Sequence, residues 1–175
     1  MTRRHLKKVA VVFAAGAALV LAAPAGAHTS GSETFKGLIV ASGASGTRTV
    51  VSSVVVAKGV FNGVGRIVEV DNLPTDPDNV SRDDLVFARG SMHLVSVTLD
   101  ASFSINRKTC LYSATLQQIG TIEGGTGKFA HAAGSSTATV KVHGLAARNP
   151  DGSCSEEQVP LLDVDTITST GTLSF

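Results

Sequence analysis

A few polar residues lie on otherwise apolar β-type stretches, and they are the candidates for chemistry. His93 and Asp165 each alternate in register with apolar neighbours, so both are expected to face the core of a sheet protein. A histidine beside a carboxylate can act as a general base, which makes a His93–Asp165 pair the sharpest catalytic hypothesis. The alternative for His93 is a core or rim residue whose hydrogen bonds are satisfied.

Three further residues are candidates for the same interior. Glu69 shares a strand face with Ile67, whereas Arg66 shares the other face with Val64, so one of these two charges is expected to point inward. An inward charge needs a partner, because an unpaired buried charge is costly. Tyr112 would supply a hydroxyl. No residue is assigned as catalytic, and the ligand-binding candidates are His93, Asp165, Glu69, Arg66 and Tyr112.

Motifs of established hydrolases, nucleotide sites and metal sites are not found. The sequence has no G-x-S-x-G elbow and no H-E-x-x-H. The stretch GGTGK at 124–128 is not a phosphate loop, because Phe129 follows the lysine and the first glycine of the required spacing is missing. The aspartates of the loop 73–81 lack the glycine and distal glutamate of an EF-hand. We therefore expect no metal and no cofactor.

The elements that position these residues read as β-strands. From Glu33 onward the chain is rich in Val, Thr, Ser and Gly, and no window keeps a helical period. In the fifth strand the odd-numbered residues from His93 to Ile105 are expected to form the apolar inner face. The predicted strands are Thr34–Ala41, Thr49–Ala57, Val60–Asp71, Asp83–Arg89, Met92–Ile105, Leu111–Ile122, Ser135–Ala147 and Leu162–Phe175.

An apolar face opposite a Thr/Ser face is typical of an antiparallel sheet with one side in water. Eight such strands must close on themselves or stack as two sheets in order to bury the apolar face. We predict an all-β fold that forms a single eight-stranded antiparallel barrel. The alternative is a two-sheet β-sandwich.

The N-terminus has the features of a signal peptide. Four basic residues precede an apolar stretch at 9–23, and the small residues 25–27 (AGA) form a cleavage site. The apolar stretch is short for the roughly 20 residues that span a bilayer, so an uncleaved anchor is only the alternative. We predict a signal peptide at 1–27, a single barrel domain at 28–175, secretion to the extracellular space, and no membrane association after cleavage.

Composition narrows the partners of the exported domain. Cleavage leaves 148 residues with 11 basic and 14 acidic side chains, and such a slightly acidic domain argues against nucleic acid. The chain has no tryptophan and one tyrosine, so stacking platforms for bases or sugars are nearly absent. Cys110 and Cys154, the only cysteines, most simply form one disulfide in an oxidising compartment.

The turn formed by Gly124, Gly125, Thr126 and Gly127 carries a family resemblance. With Lys-Phe-Ala at 128–130, Gly134 and the Thr-rich strand that follows, it resembles the turn of the allene oxide cyclase and dirigent barrel superfamily. The closing segment 166–173 (TITSTGTL) is similar to the end of secreted bacterial relatives. The consecutive glycines are expected to let the chain reverse tightly between two strands.

The resemblance implies an eight-stranded antiparallel barrel with an apolar interior, often trimeric. In plant members the barrel holds an unstable intermediate and steers its cyclisation or coupling without a cofactor, by pre-organising a bound conformer. We therefore expect a secreted barrel that binds a small apolar molecule. If the protein is an enzyme, we expect a cofactor-independent cyclase-like, isomerase-like or dirigent-like activity.

The alternative function is that of a non-catalytic structural or interaction protein of the cell surface, with side chains filling the barrel. The size of the inward residues separates the two expectations. Small inward residues, such as Ala101 and Gly171, favour a cavity. Phe103, Ile105 and Phe175 favour a filled barrel if they converge.

Overall fold

Eight antiparallel strands close into a barrel in chain order in the computed structural model, which describes residues 29–175. Each strand pairs with the next, and the last pairs with the first from Ser30 opposite Ser174 to Ser42 opposite Leu162. The predicted barrel is therefore confirmed, and the sandwich alternative is wrong. The signal peptide predicted at 1–27 lies outside the described residues. The strands are β1 (Ser30–Ser42), β2 (Thr49–Gly59), β3 (Gly63–Val70), β4 (Val80–Phe87), β5 (Gly90–Ile105), β6 (Leu111–Gly125), β7 (Ala133–Leu145) and β8 (Leu162–Ser174).

Period-two alternation divides each strand between the barrel interior and solvent. On β1, Phe35 and Ile39 are buried, whereas Lys36 and Leu38 between them are exposed. The interior of an eight-stranded barrel is only wide enough for side chains or one small ligand. The buried residues of this core are Phe35, Ile39, Val55, Ala57, Ile67, Leu85, Phe87, Met92, Ile122, Phe129, Ala132 and Leu173.

Four aromatic rings close one end of the barrel, and we call them the phenylalanine plug: Phe61, Phe87, Phe129 and Phe175. Phe129 is fully buried, and its ring centroid lies 5.0 Å from that of Phe61 and 5.3 Å from that of Phe175. These rings meet edge to face, an arrangement that adds to the free energy of burial. The plug therefore leaves only the opposite end of the barrel open to a ligand.

The glycine turn delivers the central ring of the plug. Gly124 and Gly127 have positive φ angles of 94° and 57°, and a short 3₁₀ helix, Gly127–Phe129, follows the turn. A Cβ atom on Gly125 would lie 1.9 Å from the carbonyl oxygen of Ser91, so the close approach to β5 requires glycine. The connection between β6 and β7 is thus longer than the predicted tight reversal, because it folds Phe129 back into the barrel.

A bulge changes the face of β5 halfway along its length. Thr98 pairs with Gln118 and Asp100 pairs with Gln117, so one residue of β5 is left over between them. Met92, Leu94 and Ser96 face inward before the bulge, whereas Ala101, Phe103 and Ile105 lie on the inner side after it, opposite Leu116, Ala114 and Tyr112. The predicted inner face of β5 is therefore wrong for the residues before the bulge and right for the residues after it.

The two cysteines form the predicted disulfide. Cys110, directly before β6, is bonded to Cys154 in the connection between β7 and β8. Both are buried and pack with Ala146, beside Ile105 and Tyr112. The bond therefore fastens the long β7–β8 connection to the tip of the β5–β6 hairpin, at the open end of the barrel.

Candidate functional site

The open end of the barrel has two adjacent cavities. The outer cavity, which we call the mouth, has a volume of about 570 Å³. Beneath it is a smaller and mainly apolar space of about 60 Å³, the inner chamber, which is lined by residues such as Phe35, Leu85 and Ala138. Asp83, Gln118 and Ile167 line both. The two cavities are therefore neighbours along the barrel axis, separated by no more than these shared side chains.

Arg48, in the turn between β1 and β2, organises a group of carboxylates at this end. Its Nε donates to Asp163 Oδ2 at 3.2 Å, and its Nη2 donates to Asp163 Oδ1 at 3.2 Å and to Asp165 Oδ2 at 3.0 Å. Its Nη1 donates to Glu69 Oε1. Burial alone would lower the pKa of Arg48, but the hydrogen bonds to Asp163 and Glu69 outweigh it and raise that pKa. The guanidinium therefore stays charged and holds β3 and β8 together.

Asp165 has one oxygen that Arg48 does not satisfy. Its side chain is 14% exposed, and Oδ1 is buried with no hydrogen-bond partner among the described residues. Its direct neighbours across the sheet are Ile39 and Val142, which bring no donor. Burial, reinforced by the charge of Asp163, raises the pKa of Asp165 to about 6. The mouth thus contains a carboxyl group that can exchange a proton near neutral pH.

Asp83 is the deepest carboxyl of the mouth. It lies directly opposite Glu69 across the β3–β4 pair and next to Leu94 of β5. Its carboxyl group makes no hydrogen bond and no ion pair within residues 29–175. Burial, reinforced by the charge of Glu69, raises the pKa of Asp83 to about 6. A carboxyl at the boundary of an apolar chamber can bind a donor or transfer a proton.

Tyr112 stands at the same end of the barrel. Burial raises the pKa of its hydroxyl to about 12, and the charges of Asp163 and Asp165 add to the effect. Its ring lies 5.8 Å from that of Phe103, which is 57% exposed on the inner side of the β5–β6 hairpin. The two rings extend the apolar wall of the hairpin beyond the mouth.

The structure brings together three of the five predicted candidates. Asp165, Glu69 and Tyr112 lie at the open end, and Glu69 is the inward charge of the pair considered with Arg66. Arg66 is exposed on the outer surface. His93 is also exposed there, and its Nδ1 lies 2.6 Å from Asp84 Oδ1.

Because His93 and Asp165 stand on opposite sides of the barrel wall, the hypothesis that they form one general base is wrong. The physical reason is the bulge of β5. The bulge places His93, which precedes it, on the outer face, whereas the residues after the bulge keep the predicted orientation.

Sequence reasoning missed three residues of this site. Asp83 is in register with Leu85 and Phe87, and Asp163 is in register with Asp165, so period two could have identified both. Arg48 lies in a turn and gives no periodic signal. Only barrel closure brings it to the carboxylates of β8, 115 and 117 residues further along the chain.

The described residues contain no group of three or more His, Cys, Asp or Glu side chains arranged to hold a metal ion. Within residues 29–175, no helix is long and apolar enough to cross a membrane.

Comparisons with protein-family models, with curated proteins and with solved structures found no match to this chain. The geometry of the open end is therefore the basis for a functional proposal.

Proposed function

We propose that this barrel binds a small, largely apolar molecule that enters through the mouth and reaches the inner chamber. The observation that carries the proposal is the adjacency of the two cavities, which share Asp83, Gln118 and Ile167 in their linings. Ligand sites are typically concave, mostly apolar and equipped with a few placed polar groups, and this barrel end has that composition. The predicted signal peptide and the disulfide support a protein that works outside the cytoplasm.

The same arrangement would suit the steering of a reaction in the bound molecule. A narrow chamber selects one conformer, which favours a single cyclisation or coupling product. Asp83, at the chamber boundary, would supply or accept a proton without a cofactor. The resemblance to the allene oxide cyclase and dirigent superfamily supports this extension, and it also supports a homo-oligomer, a trimer by analogy.

The experiment that tests binding compares two variants that add the same bulk on opposite sides of β7. Ala138 lines the inner chamber, whereas Thr137 is exposed on the outer surface. Native mass spectrometry of the purified protein and titration with an apolar fluorescent probe would both be measured. We expect Ala138→Phe to abolish adducts and probe binding, and Thr137→Phe to leave both intact. Equal binding by the two variants would place the ligand outside the barrel and refute the proposal.

A structural role is the second candidate, and one observation favours it. The phenylalanine plug fills one end of the barrel, and the inner chamber holds only about 60 Å³. Several apolar side chains also face solvent, including Val51 at 67% and Val64 at 66% exposed. If neither adducts nor probe binding were found in the unmodified protein, this candidate would replace ligand binding.

A further inference from the structure

The charges that line the mouth are strongly unequal. The only cation among the lining residues is Arg82, and its Nε and Nη2 already donate to Asp76 at 2.7 and 3.0 Å. Arg48 does not line the cavity and is already paired with Glu69, Asp163 and Asp165. The lining carboxyl groups number five, namely Glu69, Asp71, Asp78, Asp83 and Asp165. An anionic ligand would meet repulsion in this cavity and would find no unpaired cation.

Two of these carboxyl groups have at least one oxygen without a hydrogen-bond donor. Asp165 Oδ1 is buried and unpartnered, and the Asp83 carboxyl makes no hydrogen bond within the described part of the chain. A neutral apolar ligand that covered the mouth would remove water from the Asp83 carboxyl and would give neither group a donor, at a cost in binding free energy. A ligand that carries a charged donor would satisfy them, because hydrogen bonds between ions are the stronger ones.

The apolar part of the cavity fixes the other half of the ligand. Leu116, Val140 and Val142 form one side of the mouth, and Ile167 continues from it into the inner chamber. The lining of the site therefore has two parts. One is an apolar wall that continues into the inner chamber, and the other is the set of carboxyl groups around the mouth. A molecule that matches both sides is apolar at one end and cationic at the other.

We propose that the ligand class of this barrel is the cationic amphiphile, with an apolar chain or ring in the inner chamber and a protonated amine against Asp83 and Asp165 in the mouth. This inference rests on the proposed binding function and adds the chemistry of the ligand to it. The mutual repulsion between Glu69 and Asp83 supports it, because a cation between them would relieve that repulsion.

The test uses three probes with the same chain and different heads: octylamine, 1-octanol and octanoate at pH 7.5. Tyr112 is the only tyrosine and the chain has no tryptophan, so intrinsic fluorescence reports on the open end of the barrel. We expect octylamine to bind at least about tenfold more tightly than octanol, and octanoate to bind most weakly. Calorimetry would confirm each dissociation constant.

Matched variants separate this inference from the proposed function. Asp83→Asn, and Asp83→Asn with Asp165→Asn, should weaken octylamine binding by at least about tenfold, so that octylamine no longer binds more tightly than octanol. Asp100→Asn, which deletes the same charge from the exposed outer face, should keep the preference. Circular dichroism would verify folding, and the single variant is decisive if the double variant is unstable.

Each outcome has a definite meaning. Octanol binding as tightly as octylamine, tighter binding of octanoate, or a preference that survives Asp83→Asn would overturn the cationic amphiphile and leave the binding function standing. If none of the three probes binds the folded protein, both the inference and the proposed function fail.

Discussion

Glu69 and Asp83 are direct cross-strand partners on β3 and β4, and both carboxyl side chains line the mouth. Like charges in this position destabilise a sheet. Arg48 binds Glu69 but makes no hydrogen bond to Asp83, so the repulsion is only partly relieved. Sites that keep such an arrangement usually use it for binding or catalysis, at a cost in stability.

The first prediction concerns the pH dependence of stability. Asp83 and Asp165 keep their protons up to about pH 6 in the folded protein, whereas their ordinary pKa is 3.8. The folded state therefore binds more protons between these values, and the free energy of unfolding falls as pH rises through this window. We expect the protein to be about 1–2 kcal/mol more stable at pH 5 than at pH 7.5, as measured by urea unfolding.

The variant Asp83→Asn isolates this effect. It should raise stability at pH 7.5 and flatten the pH profile, whereas Asp100→Asn should leave the profile unchanged. The pKa of Asp76 is lowered by Arg82 and that of Asp151 by Ser153, so these groups act in the opposite sense, and only below pH 4 or so. A profile that rises steadily from pH 5 to pH 7.5 would contradict the prediction.

A second prediction follows from the position of Arg48 between three carboxylates. Arg48→Met would leave Glu69, Asp163 and Asp165 together without a cation, and removal of one partner from a buried ion pair typically costs about 3–5 kcal/mol. We expect a loss of this order at pH 7.5 and a smaller loss at pH 5, where protonation relieves the repulsion.

Arg66→Met is the control for Arg48, since Arg66 is exposed on the outer surface. Its effect on the free energy of unfolding should stay within about 0.5 kcal/mol. Arg48→Lys should rescue only part of the loss, because a lysine cannot reproduce the bonds of the guanidinium to three carboxylates. If Arg48→Met and Arg66→Met unfolded at the same urea concentration, the network would have no role in stability.

A third prediction addresses the phenylalanine plug. Phe129 is fully buried among three other rings, so Phe129→Ala should lower the free energy of unfolding by about 3–5 kcal/mol. Phe103→Ala removes the same side chain from a position that is 57% exposed, and it should cost less than about 1 kcal/mol. Chemical denaturation of both variants checks the difference, and a reversed order would show that the plug is not the centre of the core.

The fourth prediction concerns the disulfide. Cys110 and Cys154 are 44 residues apart, and the chain-entropy estimate for closing such a loop is on the order of 4 kcal/mol. We expect reduction, or the double change Cys110→Ser and Cys154→Ser, to lower stability by up to that amount. The reductant should have no further effect on the double variant. If it destabilised both proteins equally, it would be acting somewhere other than this bond.

Period two in the sequence predicted most of the fold, because it reflects local backbone geometry. The number and order of the strands, the inward direction of Asp165, and the pairing of Cys110 with Cys154 followed from alternation or from simple chemistry. Alternation left open whether Glu69 or Arg66 points inward. The face of His93 did not, since one extra residue in β5 inverts the pattern and leaves no mark on composition.

The candidate site was harder to predict than the fold. Its central cation, Arg48, lies in a turn, and its partners on β8 come within reach only when β1 and β8 pair. No local pattern encodes a contact across 115 residues. The alternation of β4 could have identified Asp83 as an inward residue. Its importance, however, depends on Glu69 of the neighbouring strand, and the sequence of neither strand alone predicts that the two residues pair.

The bulge after Thr98 divides β5 into a lower half, residues 90–98, and an upper half, residues 100–105. The lower half contributes Met92, Leu94 and Ser96 to the interior of the barrel, and the upper half presents Ala101 and Phe103 beside the mouth. Neither Ala101 nor Phe103 belongs to the buried core of the barrel, so substitutions there would change the surface beside the mouth without disturbing that core. The residues beside the mouth can therefore vary at little cost to the stability of the barrel.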